Sequence, residues 1–130
     1  MLNRALVLVA EDQPLIALDV AFAIEDADGV VAGPAASVRE CLALIASQPI
    51  VAAILDVNLT DGDISPVAEA LILAGVPIIV QTGIGLPAGL AARFPDLVVQ
   101  IKPCVAATLV VQLEALIAAG GPAGQRARIA

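Results

Sequence analysis

The chain contains no histidine, tryptophan or tyrosine, and only two phenylalanines, Phe22 and Phe94, among its 130 residues. Without histidine it cannot form a Ser-His or Cys-His catalytic pair, a histidine-ligated zinc site or a phosphohistidine. Cysteine is also scarce, and Cys41 and Cys104 lie too far apart in sequence to form a metal-spaced pair. We expect both thiols to be free. Any chemistry must therefore come from carboxylates, hydroxyls and a few cations.

Basic residues and long hydrophobic runs are few as well. The net charge is −7, and no cluster of Lys or Arg exists that could neutralise several nucleic-acid phosphates, so direct DNA or RNA binding is not expected. The chain is 60% hydrophobic with a mean hydropathy of +0.99. Its longest apolar stretch, 70–80, is broken by Gly75 and Pro77, and the apolar run before Glu11 is too short for a signal peptide. We expect a cytoplasmic protein that does not enter a membrane.

Short β-branched runs alternate with helical patterns, as in the βαβ units of a parallel sheet. We predict strands near 5–10, 29–33, 51–56, 77–82 and 97–101. The predicted fold class is α/β, a doubly wound five-stranded parallel sheet with helices on both faces. It would form one domain over residues 1–119, followed by a flexible tail over residues 120–130.

Helices fill the segments between these strands, with one exception. We predict helices over 14–27, from a capping box at Ser37 and Glu40, from Ser65 to a C′ glycine at Gly75, and over 105–119. The segment 84–95 contains two Pro and two Gly, which leaves room for one or two helical turns near 88–93. The fourth helix is therefore predicted to be short or replaced by a loop.

Carboxylates follow two of the predicted strands at the point where each strand ends. Glu11 and Asp12 come after the first strand, and Asp56 ends the third. Ligands of doubly wound sheets bind at the carboxyl ends of the strands, and carboxylates gathered there repel one another unless a cation joins them. We expect a Mg²⁺ site with direct ligands from Asp12, Asp56 and the backbone carbonyl of Asn58, and with Glu11 acting through water.

Two further polar side chains come at the ends of the fourth and fifth predicted strands. Thr82 offers a hydroxyl donor, and Lys102 offers a compact cation that can pair with Asp56 or with an incoming phosphoryl group. The bond from Lys102 to Pro103 is a candidate cis peptide. An aspartate can attack phosphorus, and phosphoryl transfer needs mainly positioning and charge neutralisation. Together these residues indicate formation of an aspartyl phosphate.

Over about residues 3–119 the chain resembles the receiver domain of two-component response regulators. The resemblance rests on the ordered residues Glu11-Asp12, Pro14, Asp56, Gly62, Thr82-Gly83 and Lys102-Pro103. It implies a flavodoxin-like three-layer sandwich in which Asp56 is the phosphoacceptor, Glu11 and Asp12 serve the metal, and Thr82 and Lys102 contact the phosphoryl group. It also implies a histidine kinase or histidine phosphotransferase as donor. The protein would then be no separate enzyme, although it would catalyse its own phosphotransfer and dephosphorylation.

Three positions depart from the usual receiver pattern. Receivers usually carry an aromatic three residues before the lysine, where this chain has Val99, and Cys104 stands where Phe is common. The run 76–83 and the reduced fourth helix look like the "FAT GUY" branch of receivers, which usually has an aromatic near Ile84. These departures exclude the usual relay between threonine and an aromatic side chain.

The fifth predicted helix is apolar around most of its circumference, which is typical of a helix that is covered on more than one side. We predict self-association through this helix and the fifth strand, and the alternative is that the tail 120–130 covers the helix. The expected function is a stand-alone receiver whose output passes through contacts with an unknown downstream protein, because only a short tail follows residue 119.

Two other functions are open to the same residues. The first is a phospho-independent interaction module, a receiver fold whose switch has decayed. The second is a hydrolase of the haloacid dehalogenase type, which also places an aspartate after a strand. Members of that family carry Asp-x-Asp at the nucleophile. Here Asp56 is followed at the second position by Asn58, an amide that cannot act as the general acid.

Overall fold

The computed structural model describes residues 1–120, which form alternating strands and helices. In chain order these are β1 (Leu6–Ala10), α1 (Pro14–Asp26), β2 (Val30–Ala35), α2 (Val38–Ser47), β3 (Ala52–Asp56), β4 (Asn58–Leu59), β5 (Gly62–Asp63), α3 (Ser65–Leu73), β6 (Ile78–Thr82), α4 (Ala88–Arg93), β7 (Val98–Ile101) and α5 (Ala106–Ala118). The five predicted strands correspond to β1, β2, β3, β6 and β7. The predicted tail from residue 121 onward lies outside the described residues.

The main sheet is parallel and has the strand order β2-β1-β3-β6-β7. The order reverses between β1 and β3, so this boundary is the switch point where such sheets bind ligands. Ala10 pairs with Leu55 across the boundary, and Asp56 pairs with Gln81 of β6. The two acid-bearing strands therefore finish side by side, which confirms the predicted doubly wound fold.

Two apolar clusters hold the helices to the sheet, one on each face, because strand side chains alternate between the faces. On one face, α1 and α5 pack through Val20, Ile24, Leu109 and Leu113 against Val7, Val9, Ile54 and Ile79. On the other face, α2, α3 and α4 pack through residues that include Cys41, Leu71, Ile72 and Leu90 against Leu8, Leu55, Ile78 and Val80. The result is the predicted three-layer sandwich.

The helix ends agree with the sequence signals at several positions. The Ser37 hydroxyl oxygen accepts a hydrogen bond of 3.0 Å from the Glu40 amide, which caps α2. Gly75 has a φ of 77° just after α3, as a C′ glycine requires. The fourth helix is short and extends over the predicted residues 88–93. The Lys102–Pro103 peptide is cis, as predicted.

Two features of the described residues were not expected from the sequence. The loop after β3 contains the antiparallel ribbon of β4 and β5, in which Asn58 pairs with Asp63. The outer face of α1 exposes three large apolar side chains, Leu15, Leu18 and Phe22. No helix within residues 1–120 is long and apolar enough to cross a membrane.

Candidate phosphoryl site

Three acids meet at the carboxyl edge of the sheet. Carboxylate oxygens of Glu11, Asp12 and Asp56 all lie within 4.8 Å of one another. Glu11 and Asp56 are buried, with exposed fractions of 2% and 7%, whereas Asp12 is exposed. They meet because β1 and β3 are neighbours and end at the same level. The sequence-predicted grouping of these acids is therefore present in the structure.

Lys102 completes the cluster from the end of β7. Its Nζ lies 3.1 Å from Oε1 of Glu11 and 3.2 Å from Oδ1 of Asp56. The Lys102 amide donates a 2.8 Å hydrogen bond to the Thr82 carbonyl, which continues the ladder between β6 and β7 beyond the strand end. Lys102 therefore bridges two carboxylates, whereas the sequence indicated a pairing with Asp56.

Burial and mutual repulsion shape the proton affinities in this cluster. Burial raises the pKa of Glu11 to about 7, and the nearby charge of Asp56 adds to the rise. The Gln13 amide, which donates to Glu11 Oε2 at 3.2 Å, and the Lys102 ammonium act in the opposite direction. For Lys102, burial lowers the pKa, but the bonds and charges of Glu11 and Asp56 outweigh it and raise the pKa overall. The cluster holds more negative charge than one lysine compensates.

The donor set fits Mg²⁺. Three carboxylates converge within reach of one ion, and hard divalent cations prefer such oxygen ligands. Two of the carboxylates are buried, and the raised pKa of Glu11 reflects first the cost of burying its charge and then the repulsion from Asp56. A divalent cation would offset that cost. The exposed Asp12 leaves the cluster open to solvent on one side, as a site with bound water requires.

Thr82 occupies its predicted position at the end of β6, but its hydroxyl serves the loop that follows. The hydroxyl donates to the Gly85 carbonyl at 2.9 Å and accepts from the amides of Ile84 and Gly85 at 3.1 and 3.0 Å. The side chain is buried, with 1% exposed. The structure thus brings the acids and Lys102 together, while the Thr82 hydroxyl organises residues 82–85.

The loop after Asp56 is tied to neighbouring elements. Its ribbon starts with Asn58, whose side chain is exposed, and the role of the Asn58 carbonyl as a metal ligand stays a prediction. Asp61 accepts bonds of 2.6 and 3.1 Å from the amides of Val38 and Arg39, and these bonds lower the pKa of Asp61. The start of α2 therefore has a second cap, from a residue distant in sequence.

Sequence reasoning missed one buried polar residue at this edge. Gln81 precedes Thr82 in β6 and is 2% exposed. Its Nε2 has no hydrogen-bond partner within residues 1–120. The sequence feature that could have identified Gln81 is its position, because an amide side chain directly follows the apolar residues Ile78, Ile79 and Val80 of a central strand. Such residues usually require a partner.

Several solved structures are similar to this chain. SdrG from Sphingomonas melonis Fr1 is 32% identical, covers 88% of this chain and 97% of its own, and has a TM-score of 0.71. A response regulator receiver protein from Sinorhizobium medicae WSM419 is 22% identical, with coverage of 92% and 98% and a TM-score of 0.77. The chemotaxis response regulator CheY4 of Vibrio cholerae is 25% identical, with coverage of 85% and 97% and a TM-score of 0.72. No family model and no curated protein sequence matches the chain.

Proposed function

The chain belongs to the receiver domain family of response regulators, and we propose that it accepts a phosphoryl group on Asp56. The observation that carries the proposal is the meeting of three carboxylates with one lysine. Oxygens of Glu11, Asp12 and Asp56 lie within 4.8 Å of one another, and Lys102 Nζ lies 3.2 Å from Asp56. This arrangement combines a nucleophilic carboxylate with the cations that phosphoryl transfer needs.

The proposed donor is a histidine kinase or a histidine phosphotransferase. An Asp56 oxygen would form a bond to phosphorus while the P–N bond of the phosphohistidine breaks, and the electron pair would leave with the imidazole. Asp12, Asp56 and the Asn58 carbonyl would hold Mg²⁺ directly, with Glu11 acting through water. The bound ion would neutralise phosphoryl oxygens during transfer. Lys102, already beside Asp56, would contact the transferred group.

The exposed face of α1 is the proposed docking surface for the donor. Leu15, Leu18 and Phe22 lie on one side of the helix and are 78%, 47% and 56% exposed. The helix begins two residues after Asp12, so this apolar stripe starts beside the acids. A donor that covers the stripe would bring its phosphohistidine close to Asp56. A cytoplasmic location, where such a donor would meet the protein, is part of the proposal.

The response to phosphorylation is proposed to begin at Thr82. Its hydroxyl would leave the Gly85 carbonyl and donate to the phosphoryl group, and the loop 83–87 would then change conformation. The short α4 and the Thr82-Gly83 pair favour the "FAT GUY" branch of receivers. Neither Val99 nor Ile84 is aromatic, so we propose that the backbone of this loop carries the signal instead.

Output is proposed to pass through protein contacts, either with a downstream protein or with a second copy of the chain. Ile101 of β7, Val105 just before α5 and Val111 of α5 are 63%, 69% and 63% exposed. These side chains support the predicted self-association through this strand and helix. Sedimentation of the protein at high concentration, with and without a phosphoryl mimic, tests it. A monomer under both conditions would reject the dimer.

Phosphorylation by acetyl phosphate tests the central proposal. Wild-type protein incubated with the donor and Mg²⁺ should gain one acid-labile phosphate, detected by intact-protein mass spectrometry. Asp56→Asn should gain none, because an amide cannot act as the nucleophile. Asp26→Asn, which changes an exposed acid at the end of α1, is the matched control and should label like the wild type. Equal labelling of Asp56→Asn and wild type would reject Asp56 as the acceptor.

The second function, a phospho-independent interaction module, has two observations in its favour. The Thr82 hydroxyl makes three hydrogen bonds within its own loop, and no aromatic stands at Val99. A Mg²⁺ titration followed by NMR distinguishes the two functions. Saturable shifts at Asp12 and Asp56 favour the phosphoacceptor, because an interaction module has no need of a metal at the acids.

A further inference from the structure

A cavity of about 360 Å³ lies on the α1 and α5 side of the sheet, next to the phosphoryl site. It is open to solvent on one side and is lined by residues of the first half of α1, the end of β6, the start of α5 and the loop that joins β7 to α5. Small-molecule sites in proteins start at about 300 Å³, so this volume suits a fragment-sized ligand. Lys102 lines the cavity and also contacts Glu11 and Asp56, which joins the cavity to the acids.

Gln81 gives the cavity a buried polar group that needs a partner. Its side chain lines the cavity, the residue is 2% exposed, and Nε2 has no hydrogen-bond partner within the described residues. A buried amide without a partner loses its hydration and gains nothing in return. Because Nε2 is itself buried, the Gln81 side chain would turn its amide toward the cavity, where a ligand oxygen would accept the hydrogen bond that Nε2 can donate.

The remaining lining determines the charge and polarity of the ligand. Ile16, Val20 and Leu109 form an apolar wall. Asp19 is a lining carboxylate, and it disfavours an anion. Lys102 does not offset this, because its ammonium is already shared by two carboxylates. A simple cation is also a poor match, because it has no acceptor for Gln81 Nε2.

We propose that this cavity binds a neutral, mostly apolar small molecule that carries a carbonyl or hydroxyl oxygen. The oxygen accepts a hydrogen bond from Gln81 Nε2, and the apolar part packs against Ile16, Val20 and Leu109. The ligand also contacts Lys102, so its binding reaches a side chain of the phosphoryl site. Binding itself does not depend on phosphorylation of Asp56, and the two proposals can fail separately.

Three phenyl probes that differ in one group test the ligand class. Benzamide is neutral with a carbonyl acceptor, benzoate is an anion and benzamidine is a cation without an acceptor. Each is titrated into the unphosphorylated protein, and ¹H–¹⁵N NMR follows the Gln81 side-chain amide and the Ala106 backbone amide. We expect saturable shifts with benzamide. Benzamidine should bind about tenfold weaker, because it loses one hydrogen bond. Benzoate keeps an acceptor for Gln81 Nε2, but it should also bind more weakly than benzamide because the Asp19 carboxylate repels its charge.

Two variants and a matched control locate the site. Gln81→Leu removes the donor at similar volume and should weaken benzamide binding about tenfold. Gln112→Leu is the control, because Gln112 also has an unpartnered buried amide atom but does not line the cavity. It should bind benzamide like the wild type. Ala106→Phe fills the cavity and should abolish binding, and it decides the matter if Gln81→Leu fails to fold.

Two results would overturn the proposal. The first is the absence of saturable shifts at Gln81 with benzamide. The second is benzamide binding that is unchanged in a folded Gln81→Leu protein or in Ala106→Phe. Tighter binding of benzoate than of benzamide would also overturn it, because it would show that the cavity selects anions.

Discussion

The carboxyl edge of the sheet has two halves that are built differently. In the acid half (Glu11, Asp12, Asp56 and Lys102), ionic side chains contact one another and two of the acids are buried. In the response segment (residues 82–101), Ile84 and Ile101 are 86% and 63% exposed, and Thr82 bonds to its own loop. The charged groups of the acid half are therefore already in contact with one another. The response segment is held instead by the buried apolar side chains of Leu90, Phe94 and Leu97 and by the loop hydrogen bonds of Thr82.

The largest expected difference between the halves concerns their ion pairs. Lys102→Met leaves Glu11 and Asp56 without a cation. The exposed fraction of the side chain is 19% for Lys102, 0% for Glu11 and 10% for Asp56. We expect a loss of about 2–3 kcal/mol in the free energy of unfolding, below the usual loss for a fully buried pair because Lys102 is partly exposed. Urea denaturation at neutral pH in Mg²⁺-free buffer measures it.

Arg93→Met is the matched control in the response segment. Arg93 pairs with Glu69 and lies 5.0 Å from the centre of the Phe94 ring, but the two charged side chains are 54% and 34% exposed. Water screens such pairs, so the loss should stay below about 1 kcal/mol. Equal losses for the two variants would show that the halves do not differ in this respect.

Mg²⁺ bound at the acid half should stabilise the folded protein. Mg²⁺ that binds only the folded protein should add about 1.4 kcal/mol to the free energy of unfolding at ten times its Kd. Asp12→Asn should reduce this gain, and because Asp12 is exposed the change should leave the fold intact. Asp26→Asn is the control and should keep the full gain. An unchanged gain in Asp12→Asn would exclude Asp12 as a ligand.

The acid half was predictable from the sequence, whereas the contacts of the response segment were not. Apolar runs that stop at Glu11 and Asp56 identify strand ends, and parallel strands bring their ends to one edge. Pro and Gly in 84–95 likewise predicted a short α4. The hydroxyl partners of Thr82 depend on the loop backbone, including Gly85 at a φ of 102°, and no spacing rule encodes them.

Helix faces were predictable only where polar and apolar residues alternate. In α1 and α5 nearly every position is apolar, so the sequence does not reveal which side meets the sheet. The exposure of Leu15 and Phe22 on α1 is known only from the packing. The cavity beside Gln81 could not be predicted from the sequence for the same reason, because it depends on how α1 and α5 lie relative to each other.

The smallest expected effect concerns Thr82 in the protein without phosphate. Thr82→Ala removes a hydroxyl that makes three hydrogen bonds with the loop, and we expect a loss of about 1 kcal/mol in urea denaturation. Thr82→Ser keeps the hydroxyl and should recover most of it. If Thr82→Ala unfolds at the wild-type urea concentration, these bonds do not hold the loop.

The same variants test whether a phosphoryl mimic bound at the acid half changes the conformation of the response segment. Beryllofluoride, a phosphoryl mimic, should shift the backbone amides of Ile84 and Gly85 in ¹H–¹⁵N NMR, because the hydroxyl they bond to turns toward Asp56. Thr82→Ser should keep these shifts and Thr82→Ala should lose them, while residues next to Asp56 shift in both. Shifts confined to the acid half of the wild type would mean that Thr82 does not transmit binding of the mimic to the response segment.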